Sequence, residues 1–209
     1  MRPYLGNRIL EVGAGLGTVA DEFTDKEHVI LLDNDPVCVR KLRARFADAP
    51  NVHVLLDDIL EPATVQRLVT KQIDTVLRVN VLEHIEDDAV ALASLYDVLE
   101  PGGCCIILVP AMPVLYGAMD RRLGHVRRYQ RTELVRKVTE GGFALQDCRY
   151  FNSIGAAGWY FAGRVRKQAE IRAAQVRQYD QHIVPLLARV EAHVRPAFGQ
   201  SLLAVARKL

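Results

Sequence analysis

A glycine-rich loop near the N-terminus limits what this chain of 209 residues can fold into more than any other feature does. The run Glu11-Val-Gly-Ala-Gly-Leu-Gly17 directly follows a short apolar strand candidate, Ile9–Val12, and is expected to open a helix. Glycine lets the backbone turn tightly and approach a ligand closely, because a Cβ at the same place would collide. The pattern predicts a strand, a ligand-binding loop and a helix in succession. An incidental glycine-rich turn is the alternative.

The spacing of the glycines separates two kinds of ligand site. A dinucleotide loop has the pattern G-x-G-x-x-G, whose third glycine would fall where this chain has Thr18. The observed pattern is G-x-G-x-G after the acid Glu11, and a carboxylate there suits a ligand with cationic groups, such as S-adenosylmethionine (SAM), better than a diphosphate. Asp33 lies 20 residues after Gly13 and could accept hydrogen bonds from both ribose hydroxyls of an adenosine in either kind of site.

Short, almost continuously apolar runs alternate with helical patterns along the chain, as in parallel strands covered on both faces. Asp35 before Pro36, and the pair Asp87-Asp88, are typical helix starts. The alternation predicts an α/β fold with a doubly wound, mostly parallel sheet. The strand candidates are Ile9–Val12, Val29–Leu32, Val52–Leu55, Thr75–Val79, Cys104–Val109 and, as the last strand, Ser201–Ala206.

The length fits a single domain over residues 1–209. Ligands of such sheets bind beyond the carboxyl ends of the strands, so we expect residues 1–118 to bind the cofactor and residues 119–209 to form the acceptor side. A change of pattern at about residues 153–199 predicts a helical insertion before the last strand. The insertion could pack on the sheet, cover the acceptor pocket, form a homodimer or partner contact, or lie on a membrane surface.

Composition narrows the class of protein. None of the four cysteines has C-x-x-C spacing, which favours free thiols in a reducing compartment. No apolar run could span a membrane and no signal peptide is visible, so a cytoplasmic protein is predicted. Residues 1–118 have 10 Lys and Arg against 18 Asp and Glu, whereas residues 119–209 have 17 against 7. A basic second half suits an anionic substrate, an acidic partner or a membrane surface. The alternative is that surface charge has varied without a functional reason.

Five motifs in order resemble those of class I SAM-dependent methyltransferases, especially the ubiquinone- and menaquinone-biosynthesis type. The resemblance covers roughly residues 8–145. It implies an enzyme of that family with SAM as cofactor and a seven-stranded, Rossmann-like sheet. The motifs are Ile9-Leu-Glu-Val-Gly-Ala-Gly-Leu-Gly17, Leu32-Asp33-Asn-Asp-Pro36, Asp58, Asn80-Val-Leu-Glu-His84-Ile and Leu99-Glu-Pro-Gly-Gly103.

The resemblance also implies roles for individual residues around SAM. Glu11 and the loop glycines Gly13, Gly15 and Gly17 would surround the methionine part. Asp33 would bind the ribose, Asn34 and Asp58 the adenine, and Asn80 would lie near the sulfonium.

Two departures from the family pattern stand out. The chain begins only eight residues before the first strand, whereas most relatives have an N-terminal helix over the SAM pocket. Arg78 stands in the fourth strand, where relatives have a small or apolar residue. A buried charge there needs a partner, for which Asp74 or a loop carboxylate is suitable.

The loop after the fifth strand holds the acceptor-side candidates. His125 is the best general base by residue type, or else it orients the loop through a hydrogen bond. Tyr116 and Tyr129 could orient the substrate or wall the pocket. The arginines Arg121, Arg122, Arg127 and Arg128 favour an anionic acceptor, with a solvated basic loop as the alternative. His84 is expected to be structural, and no metal site is predicted.

The segment from Tyr116 to Tyr129 is similar to one in a subgroup of these enzymes from glycosyl-transfer and natural-product pathways. We therefore expect methyl transfer to a small, anionic metabolite such as a nucleotide, a sugar phosphate or a natural-product intermediate. The alternatives are a SAM-binding protein that does not perform simple methyl transfer and a non-catalytic partner subunit. Nucleic-acid binding is not expected, because interleaved aromatic and basic residues are sparse.

Overall fold

The computed structural model describes residues 1–160 and 194–209. Strands and helices alternate through most of these residues. The strands are β1 (Arg8–Val12), β2 (His28–Asp33), β3 (Val52–Leu56), β4 (Ile73–Val79), β5 (Leu99–Pro110), β6 (Phe143–Phe151) and β7 (Ser201–Lys208). The helices are α1 (Pro36–Arg45), α2 (Pro62–Val69), α3 (Asp88–Val98), α4 (Ala118–Arg122), α5 (Arg131–Glu140) and α6 (Ser153–Tyr160).

The strands form one seven-stranded sheet in the order β3-β2-β1-β4-β5-β7-β6. The pairs from β3 to β5 are parallel, and β7 runs antiparallel to both β5 and β6. The predicted α/β class and seven strands are confirmed, and the sheet is mixed because β7 reverses direction. Strand order turns back between β1 and β4, which is where ligands of such sheets bind.

Each face of the sheet is covered by its own apolar cluster. On β1, Leu10 and Val12 pack into the cluster that includes α3 and α5, whereas Ile9 packs into the cluster that includes α1. Burial on both faces explains why the parallel strands are continuously apolar in sequence. Asp35 accepts a hydrogen bond from Val37 N at 2.7 Å and so caps α1, as its position before Pro36 predicts.

The structure corrects three expectations. The residues after the glycine loop form only a short 3-10 turn, Ala20–Glu22, because few residues separate Gly17 from β2. β5 begins at Leu99 rather than Cys104. β6 has no counterpart among the predicted strands, because its polar residues interrupt the apolar pattern. Of the predicted insertion, α6 and residues 194–199 are described, and the remainder lies outside the described residues. None of the helices in the described ranges is long and apolar enough to cross a membrane.

Candidate functional site

The carboxyl ends of β1 to β4 surround a cavity of about 370 Å³. This size is in the usual range for small-molecule sites. We call it the cofactor cavity. Its polar lining comes from residues directly after the strands, because parallel strands bring their carboxyl ends to one edge of the sheet. These residues include Gly13, Asp33, Asn34, Asp57, Asp58 and Asn80.

The glycine loop needs its glycines for different reasons. Gly13, Gly15 and Gly17 all have positive φ, at 73°, 56° and 75°. A Cβ on Gly13 would lie 2.5 Å from Val81 Cγ2, and one on Gly17 would lie 2.6 Å from Phe46 Cε2. A Cβ on Gly15 would meet no protein atom within 4 Å. Packing therefore explains Gly13 and Gly17, whereas Gly15 leaves space that a ligand can use.

Asp33 connects the loop to the end of β2. Its Oδ2 accepts a hydrogen bond from Gly15 N at 2.7 Å, and its Oδ1 accepts one from Asp35 N at 2.9 Å. Each carboxylate oxygen can accept a further bond, so the side chain is held in place while it keeps capacity for two ribose hydroxyls.

The two acids after β3 have separate roles. Asp57 accepts hydrogen bonds from Thr64 and Arg67 within the protein. Asp58 Oδ1 accepts from Leu60 N at 2.9 Å, and Asn34 Nδ2 lies 3.4 Å from Asp58 Oδ2. Asp58 and Asn34 are thus adjacent at the cavity.

Glu11 lies in β1, immediately before the loop, and is only 2% exposed. Its Oε2 has no hydrogen-bond partner among the described residues. Burial, and then the Asp33 carboxylate, raise the pKa of Glu11 to about 8. A buried carboxylate of this kind fits a ligand with a cationic group, since such a group would stabilise the charged form.

Arg78 is the buried charge that the sequence left without an assigned partner. It is 1% exposed and lines the cofactor cavity, and its Nε and Nη1 have no partner among the described residues. Asp74 does not pair with it in the structure, because Asp74 Oδ2 accepts from the backbone of Asn7 and Arg8. Burial lowers the pKa of Arg78 to about 10. A second buried charge with unused hydrogen-bonding groups therefore faces the cavity.

A second cavity of about 400 Å³ adjoins the first, and we call it the acceptor cavity. Asn80 and His84 line both cavities. Asn80 is in the left-handed region, with φ of 53°, directly after β4. The other residues that line the acceptor cavity are Pro110, Leu123, His125, Arg128, Trp159, Gln200 and Ser201.

Asp120, which the sequence did not single out, organises the segment from Tyr116 to Tyr129, which we call the acceptor loop. This fully buried carboxylate accepts hydrogen bonds from Gly117 N at 2.9 Å and Arg128 Nε at 2.6 Å, and His125 Nδ1 lies 3.1 Å from its Oδ1. Burial alone would raise the pKa of Asp120, but the bonds from His125 and Arg128 hold it below its usual range. Because an ionised carboxylate only accepts, Nδ1 of His125 donates to it, and in the neutral imidazole the lone pair is then on Nε2.

Asp88 organises a second group of predicted residues behind the cavity. Its carboxylate accepts from Arg127 Nη1 at 2.9 Å, Tyr129 Oη at 2.9 Å and Lys137 Nζ at 2.6 Å. Tyr129 is fully buried, and neither it nor Arg127 lines the acceptor cavity. The structure thus directs these two candidates towards Asp88.

The remaining acceptor-side candidates lie at different distances from the cavity. Arg128 stacks over Trp159, with its guanidinium carbon 4.8 Å from the ring centroid. Tyr116 Oη donates to the His125 carbonyl at 2.9 Å and so holds the loop. Arg121 lies 6.0 Å from the centroid of the Tyr116 ring, outside the cavity lining.

The chain is similar in sequence to known methyltransferases. Residues 9–103 match the family model of a methyltransferase domain. A protein of Mycolicibacterium smegmatis, named as a probable S-adenosylmethionine-dependent methyltransferase, is 30% identical over 145 residues, which are 68% of this chain and 54% of that protein. An uncharacterized methyltransferase of Mycobacterium bovis is 32% identical over 108 residues, covering 51% of this chain and 52% of that protein. The chain thus spans about half the length, or less, of the curated relatives it matches.

Solved structures show the same fold. The S-adenosylmethionine-dependent methyltransferase of Mesorhizobium loti aligns with a TM-score of 0.66 at 17% identity, over 99% of this chain and 95% of that one. The N-methyltransferase NodS of Bradyrhizobium japonicum, solved with S-adenosylhomocysteine, aligns with a TM-score of 0.61 at 16% identity, over 97% of this chain and 78% of that one.

Proposed function

Because residues 9–103 form a methyltransferase domain of the class I, SAM-dependent family, we propose that this protein transfers a methyl group from SAM to a small, anionic acceptor. The observation that best supports the proposal is the meeting of two cavities at Asn80 and His84. One cavity has carboxylates that suit an adenosine, and the buried carboxylate of Glu11 lies next in the chain to its lining residues Val12 and Gly13. The other has a histidine and a buried arginine.

The residues that line the cofactor cavity, together with Glu11 in β1 beside it, fit SAM group by group. Asp33 would accept the ribose hydroxyls, and Asn34 with Asp58 would contact the adenine. Glu11 would hold the ammonium of the methionine part, which gives its unpartnered oxygen a cationic neighbour. Bound SAM supplies the electrophilic methyl group. The protein excludes water and aligns the nucleophile, and such alignment can lower a barrier by about 7–11 kcal/mol.

Without any bound metal ion, His125 would be the group that takes the proton lost by the acceptor. Asp120 fixes Nδ1 as the protonated nitrogen, so the lone pair of Nε2 is available for that proton. Transfer of the methyl group would leave S-adenosylhomocysteine in the cofactor cavity, and the proton of the acceptor would move to His125 Nε2. Tyr116 supports this geometry from behind, through its bond to the His125 carbonyl.

An anionic acceptor is supported by Arg128 rather than by the whole arginine group. Its Nε and Nη1 bind Asp120 and the Ala111 carbonyl, while Nη2 takes part in neither bond. Trp159 stacks against the same guanidinium and could cover an acceptor held there.

The test measures release of S-adenosylhomocysteine with a panel of small carboxylates and phosphate esters that have a hydroxyl or amine, each beside its neutral analogue. We expect turnover with anionic members, and a loss of kcat of about 10²–10⁴-fold in His125→Gln. His53→Gln on the outer strand β3 is the matched control and should keep full kcat. SAM binding without turnover across the panel would refute methyl transfer, and equal turnover of the neutral analogues would refute an anionic acceptor.

A further inference from the structure

Glu83, His84 and His125 bring three potential metal ligands together between the two cavities. One carboxylate oxygen and one ring nitrogen from each histidine lie within 4.8 Å of one another. Glu83 and His84 belong to the short 3-10 turn after β4, whereas His125 follows α4. The fold therefore assembles the cluster from segments about 40 residues apart in the chain.

Glu83 is the most unusual member of the cluster. It is fully buried, and both of its carboxylate oxygens lack a hydrogen-bond partner among the described residues. Leaving a buried carboxylate without donors is costly, so the position favours an occupant with positive charge. The nearest ionisable contact is His125 Nε2, which lies 3.8 Å from Glu83 Oε1.

Each histidine of the cluster has Nδ1 bound to an acceptor of the protein, which leaves Nε2 as the nitrogen for a metal ion. His125 Nδ1 bonds to Asp120 Oδ1 at 3.1 Å, and His84 Nδ1 bonds to the Gly124 carbonyl at 3.2 Å. Since both partners only accept, Nδ1 donates in each ring, and the neutral form of each ring has its lone pair on Nε2. A carboxylate or carbonyl behind the imidazole is the usual second layer of contacts around metal-binding histidines.

We propose that Glu83, His84 and His125 bind a divalent first-row transition-metal ion at the wall of the acceptor cavity. Two imidazoles and one carboxylate form a three-ligand set that leaves positions open for another ligand. Ligand atoms around a tetrahedral zinc ion lie about 3.4 Å apart. The three ligand atoms here lie within 4.8 Å of one another, so binding requires them to approach one another by up to about 1.4 Å.

The surroundings favour a transition metal over Ca²⁺ or Mg²⁺. Arg128 is paired with Asp120, but Arg78 adds a nearby positive charge that offsets the single negative charge of Glu83. Hard cations prefer sites made of several oxygen ligands, whereas imidazole nitrogen suits zinc, iron and their neighbours.

An ion at this place would act on the acceptor, and this role rests on the proposed methyl transfer. His84 and His125 both line the acceptor cavity, so the open positions of the ion face the space for the acceptor. An acceptor hydroxyl bound to the ion would have a lowered pKa and would lose its proton to solvent. His125 Nε2 would then be a ligand, and the ion would replace it in activating the acceptor.

The binding test uses the full chain, stripped with a chelator and without SAM or acceptor, titrated with Zn²⁺ and Mn²⁺ by calorimetry. Absorption of bound Co²⁺ in the visible range reports the ligand geometry. We expect one ion per chain, and at least a 100-fold loss of affinity in Glu83→Gln and in His84→Ala. His53→Gln is the control, because His53 forms a separate histidine pair with His28, with ring centroids 4.6 Å apart.

Each outcome decides the inference. His84 is exposed, so His84→Ala should fold even if Glu83→Gln does not. No stoichiometric binding by the parent protein, or a loss of binding only in His53→Gln, would overturn the site. Metal binding without methyl transfer would uphold the site and refute the proposed function. Methyl transfer by protein that is shown to bind no metal would uphold the proposed function and refute the metal site.

Discussion

Asp33 holds the glycine loop against the end of β2, because its Oδ2 accepts a hydrogen bond from the backbone N–H of Gly15 at 2.7 Å. The same carboxylate is the one expected to accept the ribose hydroxyls. Loop conformation and ligand binding therefore depend on a single charged side chain.

Replacement of Asp33 should weaken SAM binding, whereas replacement of the neighbouring helix-capping residue Asp35 should not. Asp33→Asn keeps the shape and loses the charge, and hydrogen bonds to charged groups contribute about 1.5–3 kcal/mol each. We expect SAM affinity, measured by calorimetry, to fall by about 10–100-fold. Asp35→Asn is the control, since Asp35 only caps α1 and asparagine is also a good cap. Similar losses in both variants would count against ribose binding by Asp33.

Gly15 and Gly102 make a matched pair for testing the loop. Both have positive φ, at 56° and 80°, and an added Cβ on either meets no protein atom within 4 Å. Alanine at each should therefore cost a similar amount of stability, about 1–2 kcal/mol, from backbone strain. Gly15→Ala alone should also abolish SAM binding, because its Cβ enters the space beside the loop. If both variants bind SAM equally well, that space is not the cofactor site.

Glu11 should make SAM binding depend on pH. With its pKa raised to about 8, Glu11 is mostly protonated at pH 7, and a cationic ligand would drive off the proton. Calorimetry at pH 7 in buffers of different ionisation enthalpy should show release of up to about one proton on binding. Glu11→Gln should bind SAM more weakly and release none. Binding without proton release by the parent protein would refute contact between Glu11 and the ammonium.

The same group has a predictable effect on stability. The pKa of Glu11 in the folded protein, about 8, lies above the ordinary value of 4.5. Its contribution is therefore fully present below pH 4.5 and is lost as pH rises through about 8. Glu11→Gln should remove this dependence and stabilise the protein above pH 8 by about 1–3 kcal/mol, as read from urea unfolding at several pH values.

The sequence predicts the parallel part of the fold well, because strands buried on both faces are continuous apolar runs. β1 to β4 begin and end within two residues of their predicted positions. β6 lies at the edge of the sheet and was not predicted, because Gln146, Asp147 and Arg149 interrupt its apolar pattern. Asp147 is nevertheless buried there, and its Oδ1 lies 3.2 Å from Arg195 Nη1, a contact between distant segments that no local pattern reveals.

Some residues of the candidate site can likewise be placed from the sequence, whereas others are placed only by the folded structure. Asp33, Asn34, Asp58 and Asn80 come directly after strands, so strand prediction alone places them on one edge of the sheet. Asp88 looked like part of a helix start, and only the folded chain shows that it binds Lys137, which is 49 residues away. Glu83 lies in the motif Asn80-Val-Leu-Glu-His84-Ile, but only the folded chain shows that it is fully buried and that its Oε1 lies 3.8 Å from His125 Nε2.

Asp120 and Asp88 are two similar buried acids, of which the first is expected to affect both activity and stability and the second only stability. Both are buried acids that accept from three partners, and hydrogen bonds keep the pKa of each carboxyl below its usual range although burial alone would raise it. The stabilisation from each is present above the ordinary Asp value of 3.8 and is lost as pH falls below it. Asp120 supports His125 at the acceptor cavity, whereas Asp88 supports α5 behind it.

We expect Asp120→Asn to lower the free energy of unfolding by about 3–5 kcal/mol, because Arg128 is left as an unpaired buried charge. Asp88→Asn should cost less, about 1–3 kcal/mol, since Arg127 and Lys137 remain partly exposed. Urea unfolding measures both values. Assayed well below the unfolding midpoint, Asp120→Asn should also lose kcat, because His125 is released from its tautomer, while Asp88→Asn should keep kcat per folded molecule. Equal kcat in the two variants would show that His125 needs no orientation by Asp120.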